Sequence, residues 1–216
     1  LSVTALALAL VGRWDTRSVV LAAMVGLWAI RLGSFLLRRV LEAGSDSRFD
    51  SIKTDPWRLL MTWTLQGLWV LLTLGAALAA ITAPDDPGTD VLVWVGVGLW
   101  AVGLGIEATA DSQKSAFKAD PGNDGRYIDT GLWAWSRHPN YFGEIVLWLG
   151  VALASVGALS GWRYATLVSP VFVFVLLRFV SGVPMLERKA EKRWGDDPDW
   201  RNYSEQTPLL FPRPPT

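Results

Sequence analysis

Long apolar runs separated by short, densely charged segments constrain this chain more than any other feature. Several runs reach the roughly 20 residues that a helix needs to cross a bilayer. Residues 18–40, 57–82, 90–110, 139–160 and 163–183 each read as a membrane segment, and residues 1–12 read as the tail of another. The expected fold is therefore all-α: a polytopic integral membrane helix bundle, with six segments in view. The chain opens on Leu1 rather than Met, with an apolar stretch already under way. This reads as a start inside a transmembrane helix, with an N-terminal part missing. A charged helix near 184–194 and a Pro-rich stretch from Pro208 to Pro215 follow the last segment. No internal repeat stands out, and residues 1–216 are expected to form one domain.

Total composition is less telling. Half the residues are hydrophobic (51% of 216), close to many soluble domains, so the distribution decides and not the sum. The absence of cysteine excludes disulfides, thiol catalysis and zinc–thiolate sites. No Walker loop, H-E-x-x-H or metal-ligand spacing is present, so neither a metal nor a nucleic acid is expected as partner. Fifteen of the 20 basic residues fall in one alternating set of loops and in the polar tail. Arg38, Arg39, Arg48, Lys53 and Arg58 begin that set, and Lys114, Lys118, Arg126 and Arg137 continue it. Basic loops stay on the cytoplasmic side, so that side should hold every polar cluster of interest.

The richest cluster is Ser136-Arg137-His138-Pro139-Asn140-Tyr141-Phe142-Gly143-Glu144. It sets a cation, the only histidine, an amide and a carboxylate at the mouth of an apolar helix. Proline suits a first helical turn, where its missing N–H costs nothing, and it pushes the preceding His138 out of helical geometry. A helix beginning at Pro139 would offer free N–H groups beside Arg137, a natural anion site. Asn140, Glu144 and Trp148 follow at four-residue spacing on one face.

A second cluster closes the segment before it: Glu107, Asp111, Ser115 and Lys118 share a helical face. A ribose, an amide or an arginine would satisfy its acids; so would a solvated helix end paired internally with Lys114 or Lys118. Gln66 sits mid-segment near Thr62 and Trp69, where an amide bonds a neighbouring helix or a ligand. Arg31 and Arg178 lie inside apolar segments and should face a cavity or an acid. Gly103-Leu104-Gly105-Ile106-Glu107-Ala108 matches G-x-G-x-x-A, yet it lacks the preceding strand that the dinucleotide fingerprint needs. Small residues there serve helix packing instead.

The block Ala110-Asp111-Ser112-Gln113-Lys114, Phe117-Lys118, Asp129-Thr130-Gly131-Leu132-Trp133, Ser136 to Glu144, Trp148 and Gly150 resembles the steroid 5-alpha-reductase family. So do Asp46-Ser47-Arg48-Phe49, Leu65-Gln66-Gly67 and the ending Tyr203, Thr207-Pro208-Leu209-Leu210-Phe211-Pro212. The resemblance implies a seven-helix membrane enzyme, monomeric, with NADPH in a cavity open to the cytoplasm. It also implies reduction of a carbon–carbon double bond conjugated to a ketone, as in 4-ene-3-oxo steroids. By position it makes Asp111, Lys118, Asn140, Glu144 and Trp148 cofactor contacts, with Arg137 and His138 beside them. It extends this role to Arg178, Arg188, Tyr203 and Arg48. A lipophilic, steroid-like substrate drawn from the bilayer would meet Trp28, Gln66 and Trp69. Of the family's proton-donating pair, a glutamate on an early helix and a tyrosine on the next, the early helix is absent from this chain and the tyrosine position falls near Trp28, so the catalytic acid is not identified.

The Arg137-His138-Pro139-Asn140-Tyr141-Phe142-Gly143 segment is also similar to isoprenylcysteine carboxyl methyltransferases, which would imply S-adenosylmethionine as cofactor. The Asp111 to Lys118 block, the Gly131-Leu132-Trp133 approach and Leu65-Gln66-Gly67 look reductase-like.

Overall fold

The computed structural model describes Ala7 and residues 14–43, 55–85 and 88–215. Among them it contains helices and no strand. The long helices are α1 (Thr16–Ala43), α2 (Pro56–Ile81), α3 (Val91–Ala119) and α4 (Pro139–Ser155). A 3-10 stretch (Gly161–Leu167), α5 (Val168–Val175) and a π turn (Leu176–Val180) then run together, followed by α6 (Val183–Trp194) and α7 (Pro198–Gln206). Five helical stretches are long and apolar enough to cross a membrane: Thr16–Arg38, Pro56–Ile81, Val91–Ala119, Pro139–Ala158 and Gly161–Trp194. The expected segment at 1–12 lies outside the described residues, apart from Ala7.

Two expected boundaries differ from the observed ones. The segment read as ending at 110 continues to Ala119. At 1.5 Å per residue its 29 residues span about 43 Å, longer than the roughly 30 Å hydrocarbon core. Hydropathy marks where an apolar solvent would end, whereas Gln, Lys, Ala and Ser keep the helix going beyond it. The segment at 163–183 is not one α-helix but three kinds of turn in series. Pro170 cannot donate a backbone bond, and it falls in the first turn of the short α5.

The chain divides into two compact units: Leu1–Val95 with Val151–Ser169, and Gly96–Gly150 with Pro170–Thr216. In the first, α1 and α2 bury Leu21, Met24 and Val25 and an alanine-rich stretch, Ala76, Ala77 and Ala80. Trp57, Leu60, Trp63, Leu65 and Leu68 of α2 stay exposed. Such a surface is costly in water and natural in lipid. Arg17 is 2% exposed and all three of its nitrogens are bonded. Nε and Nη2 donate to the Gly88 carbonyl at 3.1 and 3.0 Å, Nη1 donates to Ala154 O at 3.2 Å, and Nη2 also reaches Asp90 Oδ2 at 2.9 Å. Asp90 in turn caps α3, accepting from Val93 N at 3.1 Å. The Arg17 hydrogen bond holds its carboxyl below the usual carboxylate range. Arg163 caps the C-terminal end of α2, donating to Ala79 O at 2.7 Å.

In the second unit α3 and α4 meet backbone to backbone through glycines. A Cβ on Gly103 would lie 2.5 Å from Leu147 N, and one on Gly143 would lie 2.6 Å from Gly103 O. Only hydrogen fits at either position, which is how small residues bring membrane helices together. The sequence motif around Gly103 therefore serves packing.

Candidate functional site

The loop between α3 and α4 is fastened to α3 by polar residues of α3's last turns. Gln113 Oε1 accepts from Leu132 N at 3.0 Å, and Trp133 Nε1 donates to Ala110 O at 3.1 Å. Lys114 lies 4.2 Å over the Trp133 ring, within cation–π range. Ala110, Ile128 and Trp133 form a small core beneath the loop. Segment 208–213 holds the other side: Arg137 N donates to Pro208 O at 2.9 Å, Ser136 Oγ to Leu210 O at 3.0 Å, and Arg213 N to Trp135 O at 3.0 Å.

Helix α4 then begins at Pro139, as the proline rule requires, and the His138 carbonyl accepts the first turn's bond from Phe142 N at 3.1 Å. His138 is 5% exposed and stacks on Tyr141 at 5.6 Å between centroids. Glu187 of α6 reaches both residues that precede the proline: Arg137 Nη1 donates to its Oε2, and His138 Nε2 lies 2.8 Å from its Oε1. Burial pushes the His138 pKa down, more than the Glu187 hydrogen bond pulls it up. A neutral imidazole facing a carboxylate must donate, so the proton is on Nε2. Nδ1 is then an acceptor, buried without a hydrogen-bond partner among the described residues; Arg137 Nε and Trp200 Nε1 are likewise buried and unmet. Buried polar atoms of this kind are rare and point to a water or ligand.

These residues line a cleft of about 750 Å3, within the range of small-molecule sites. Its cations are Lys114, Lys118, Arg126, Arg137, Lys189 and Arg193, against the carboxylates of Asp120, Asp124 and Glu187. Its aromatic wall is a cluster of Tyr127, Trp194, Trp200 and Tyr203, with Tyr127 4.9 Å from Trp200 and stacked on Tyr203 at 5.3 Å. Tyr203 OH donates to Trp133 O at 2.7 Å. Burial first, and the charges of Asp129 and Glu187 next, raise its pKa against the opposing pull of Arg137. A phenol so placed stays protonated and holds the loop.

Of the residues singled out from sequence, Lys118, Arg137, His138 and Tyr203 come together on this cleft. Asp111 and Asn140 form a second group on α3 and α4, where Asn140 Nδ2 donates to Asp111 Oδ1 at 3.2 Å. Glu144 is partly buried one turn on, and Trp148 is fully buried a turn further; neither lines the cleft. Arg178 falls in the π turn, 4.9 Å over the Phe179 ring. Arg188 is exposed on α6. Arg48 lies outside the described residues. Trp28 and Trp69 are partly buried and Gln66 is exposed, all three in the first unit. Sequence reasoning missed Glu187, which meets both Arg137 and His138 at the α4 mouth. Its only local signal is an acid placed just before a basic run, Arg188-Lys189, on a helix that Pro184 opens. Among the described residues no three acids or histidines cluster as metal ligands would.

A family model described as a protein of unknown function, DUF1295, matches residues 1–207. The chain belongs to this steroid 5-alpha-reductase-like family. Similar curated proteins fall into two kinds. Cattle and human 3-oxo-5-alpha-steroid 4-dehydrogenase 1 are 36% identical over 94 residues and 35% over 99, covering 43% and 45% of this chain and 34% of each relative. A probable O-methyltransferase, ustE, of Ustilaginoidea virens is 31% identical over 147 residues, covering 61% of this chain and 49% of that protein. The chain thus spans from a third to a half of the length of these relatives. No solved structure matches. Membrane-capable helices and family together make it an integral membrane protein of a membrane reductase family.

Proposed function

We propose that this chain is a single-domain, monomeric membrane reductase that binds NADPH in the basic cleft. Its reaction would be reduction of a carbon–carbon double bond conjugated to a ketone, with 4-ene-3-oxo steroids as the substrate class. The cleft carries the cofactor half of this reading. Six cations suit a ligand with several phosphate charges, and a wall of aromatic faces suits a stacked heterocycle. The buried, unmet N–H groups of Arg137 and Trp200 favour a ligand rich in acceptors. NADPH would supply a hydride; the protein supplies binding and orientation. In this reading Lys118, Arg126, Arg137, Lys189 and Arg193 neutralise phosphates. Outside the cleft, along α3 and α4, the Asp111–Asn140 pair and Glu144 would serve hydroxyl or amide groups of a ligand long enough to extend past it. The 3-oxo-5-alpha-steroid 4-dehydrogenases among its relatives support the substrate class, with Trp28, Gln66 and Trp69 as its apolar contacts. The excess of basic loops supports a cytoplasmic opening.

A methyltransferase is the second reading, favoured by the ustE likeness. S-adenosylmethionine carries no phosphate and a sulfonium cation, so a six-cation cleft suits it poorly. Thermal unfolding of the purified protein in detergent with NADPH, NADH or S-adenosylmethionine separates the two. Stabilisation by NADPH is expected; stabilisation by S-adenosylmethionine alone overturns the reductase reading. Asn140→Ala should then weaken NADPH binding roughly tenfold, since it removes an amide that would meet the ligand. Near-normal affinity would remove the Asp111–Asn140 pair from the site.

A further inference from the structure

A carboxylate inside an anion-binding cleft is a Coulombic cost to the anion, so Glu187 calls for another role. Its placement is built in several steps. Gly182 lets α6 start in contact with α4: a Cβ there would lie 2.6 Å from Leu177 O and 2.9 Å from the Tyr141 ring. Tyr141 stacks on His138, and Glu187 lies five residues beyond Gly182, on α6. One of its oxygens takes Arg137 Nη1, and the other takes His138 Nε2 at 2.8 Å. Both oxygens are thus used, and both partners sit at the start of α4.

We propose that Glu187 is the positioning residue of this site: it fixes the Arg137 guanidinium for an anionic ligand and locks His138 in its Nε2–H tautomer. His138 Nδ1 is then held as a lone-pair acceptor beside the cleft, and the guanidinium is held with Nε free for an acceptor. The anion's identity as NADPH rests on the reading above; the tautomer does not.

His138 is the only histidine of the chain, so selective 15N-histidine labelling of the full chain in detergent gives one imidazole to observe. At about pH 8, above the ordinary histidine range, the wild type should show a pyrrole-type Nε2 and a pyridine-type Nδ1. In Glu187→Gln the single amide oxygen goes to Arg137 and the amide N–H2 faces Nε2, so the tautomer should reverse; Glu187→Asp should restore it. Glu187→Ala should weaken NADPH binding roughly tenfold, with no further loss in the Arg137→Ala background. A wild-type Nδ1–H or mixed tautomer overturns the proposal, as does a tautomer unchanged in Glu187→Gln. Tighter NADPH binding in Glu187→Ala also overturns it, because it would make Glu187 only a charge opposing the anion. If the wild type binds no NADPH, the cofactor reading falls and the tautomer alone decides this inference. If Glu187→Ala does not fold, the Gln and Asp variants decide it.

Discussion

Two arginines show how the units differ. Arg17, in the first, meets an acceptor with each of its nitrogens. Arg137, in the second, gives Nη1 to Glu187 and keeps a buried Nε without a hydrogen-bond partner among the described residues. A fully matched buried cation holds a structure together, because its desolvation is offset by bonds to carbonyls and an acid. A partly matched one retains capacity for something that arrives. The contrast extends to the surroundings. The first unit is mostly apolar surface around one polar clasp, whereas the second concentrates short turns, aromatic rings and charges at one helix mouth.

The sharpest break of this comparison is to remove each cation. Arg17→Ala should cost about 3 kcal/mol of stability, since it empties the buried volume of the side chain and removes the donors that tie Ala154 O, Gly88 O and Asp90 together, and should leave the NADPH-induced stabilisation of the remaining folded protein in place. Arg137→Ala should do the reverse. Equal losses of melting temperature in both, with ligand binding intact in both, would end the distinction. Next in size, Gly143→Leu should cost about 3 kcal/mol by forcing a side chain into the α3 backbone; a melting temperature within two degrees of wild type would contradict the glycine contact.

A smaller effect comes from pH. The folded pKa of His138 is depressed, so the unfolded chain takes up the proton first. Stability should be full above the ordinary value of about 6.5 and fall as pH drops below it, by about 1 kcal/mol for each unit of depression. Unfolding curves between pH 8 and 5.5 should show this limb, and His138→Gln should lack it. Stability that instead rises on acidification would mean that the Glu187 pairing outweighs burial. Smallest of all, Gln66→Leu on the exposed face of α2 should change melting by the equivalent of no more than about 0.5 kcal/mol, while a larger drop would mean that the amide bonds a neighbour.

Hydropathy made the membrane helices legible, because the bilayer is itself a solvent and apolar runs report it. It failed where helix and bilayer part company, at the polar end of α3 from Asp111 to Ala119. It also failed at 161–180, where one apolar run hides three helix types. Proline chemistry located the start of α4 to the residue. The site was legible where its residues are contiguous, as in Arg137 and His138. Glu187 was not, because nothing in the composition of α6 tells which loop, some fifty residues earlier, its carboxylate will meet. The basic residues of α6 were equally opaque: Lys189 and Arg193 reach the cleft, while Arg188, directly before Lys189 and exposed, does not line it.

The fastening of the α4 mouth by segment 208–213 also has a temporal side. Ser136 waits for a carbonyl 74 residues further along the chain, and Arg137 and Trp135 wait for Pro208 and Arg213 at similar separations. During synthesis the loop that carries Arg137 and His138 is made well before those partners exist. The α4 mouth is therefore a late product of biogenesis: the membrane segments can be threaded first, and the mouth closes only when segment 208–213 emerges and docks.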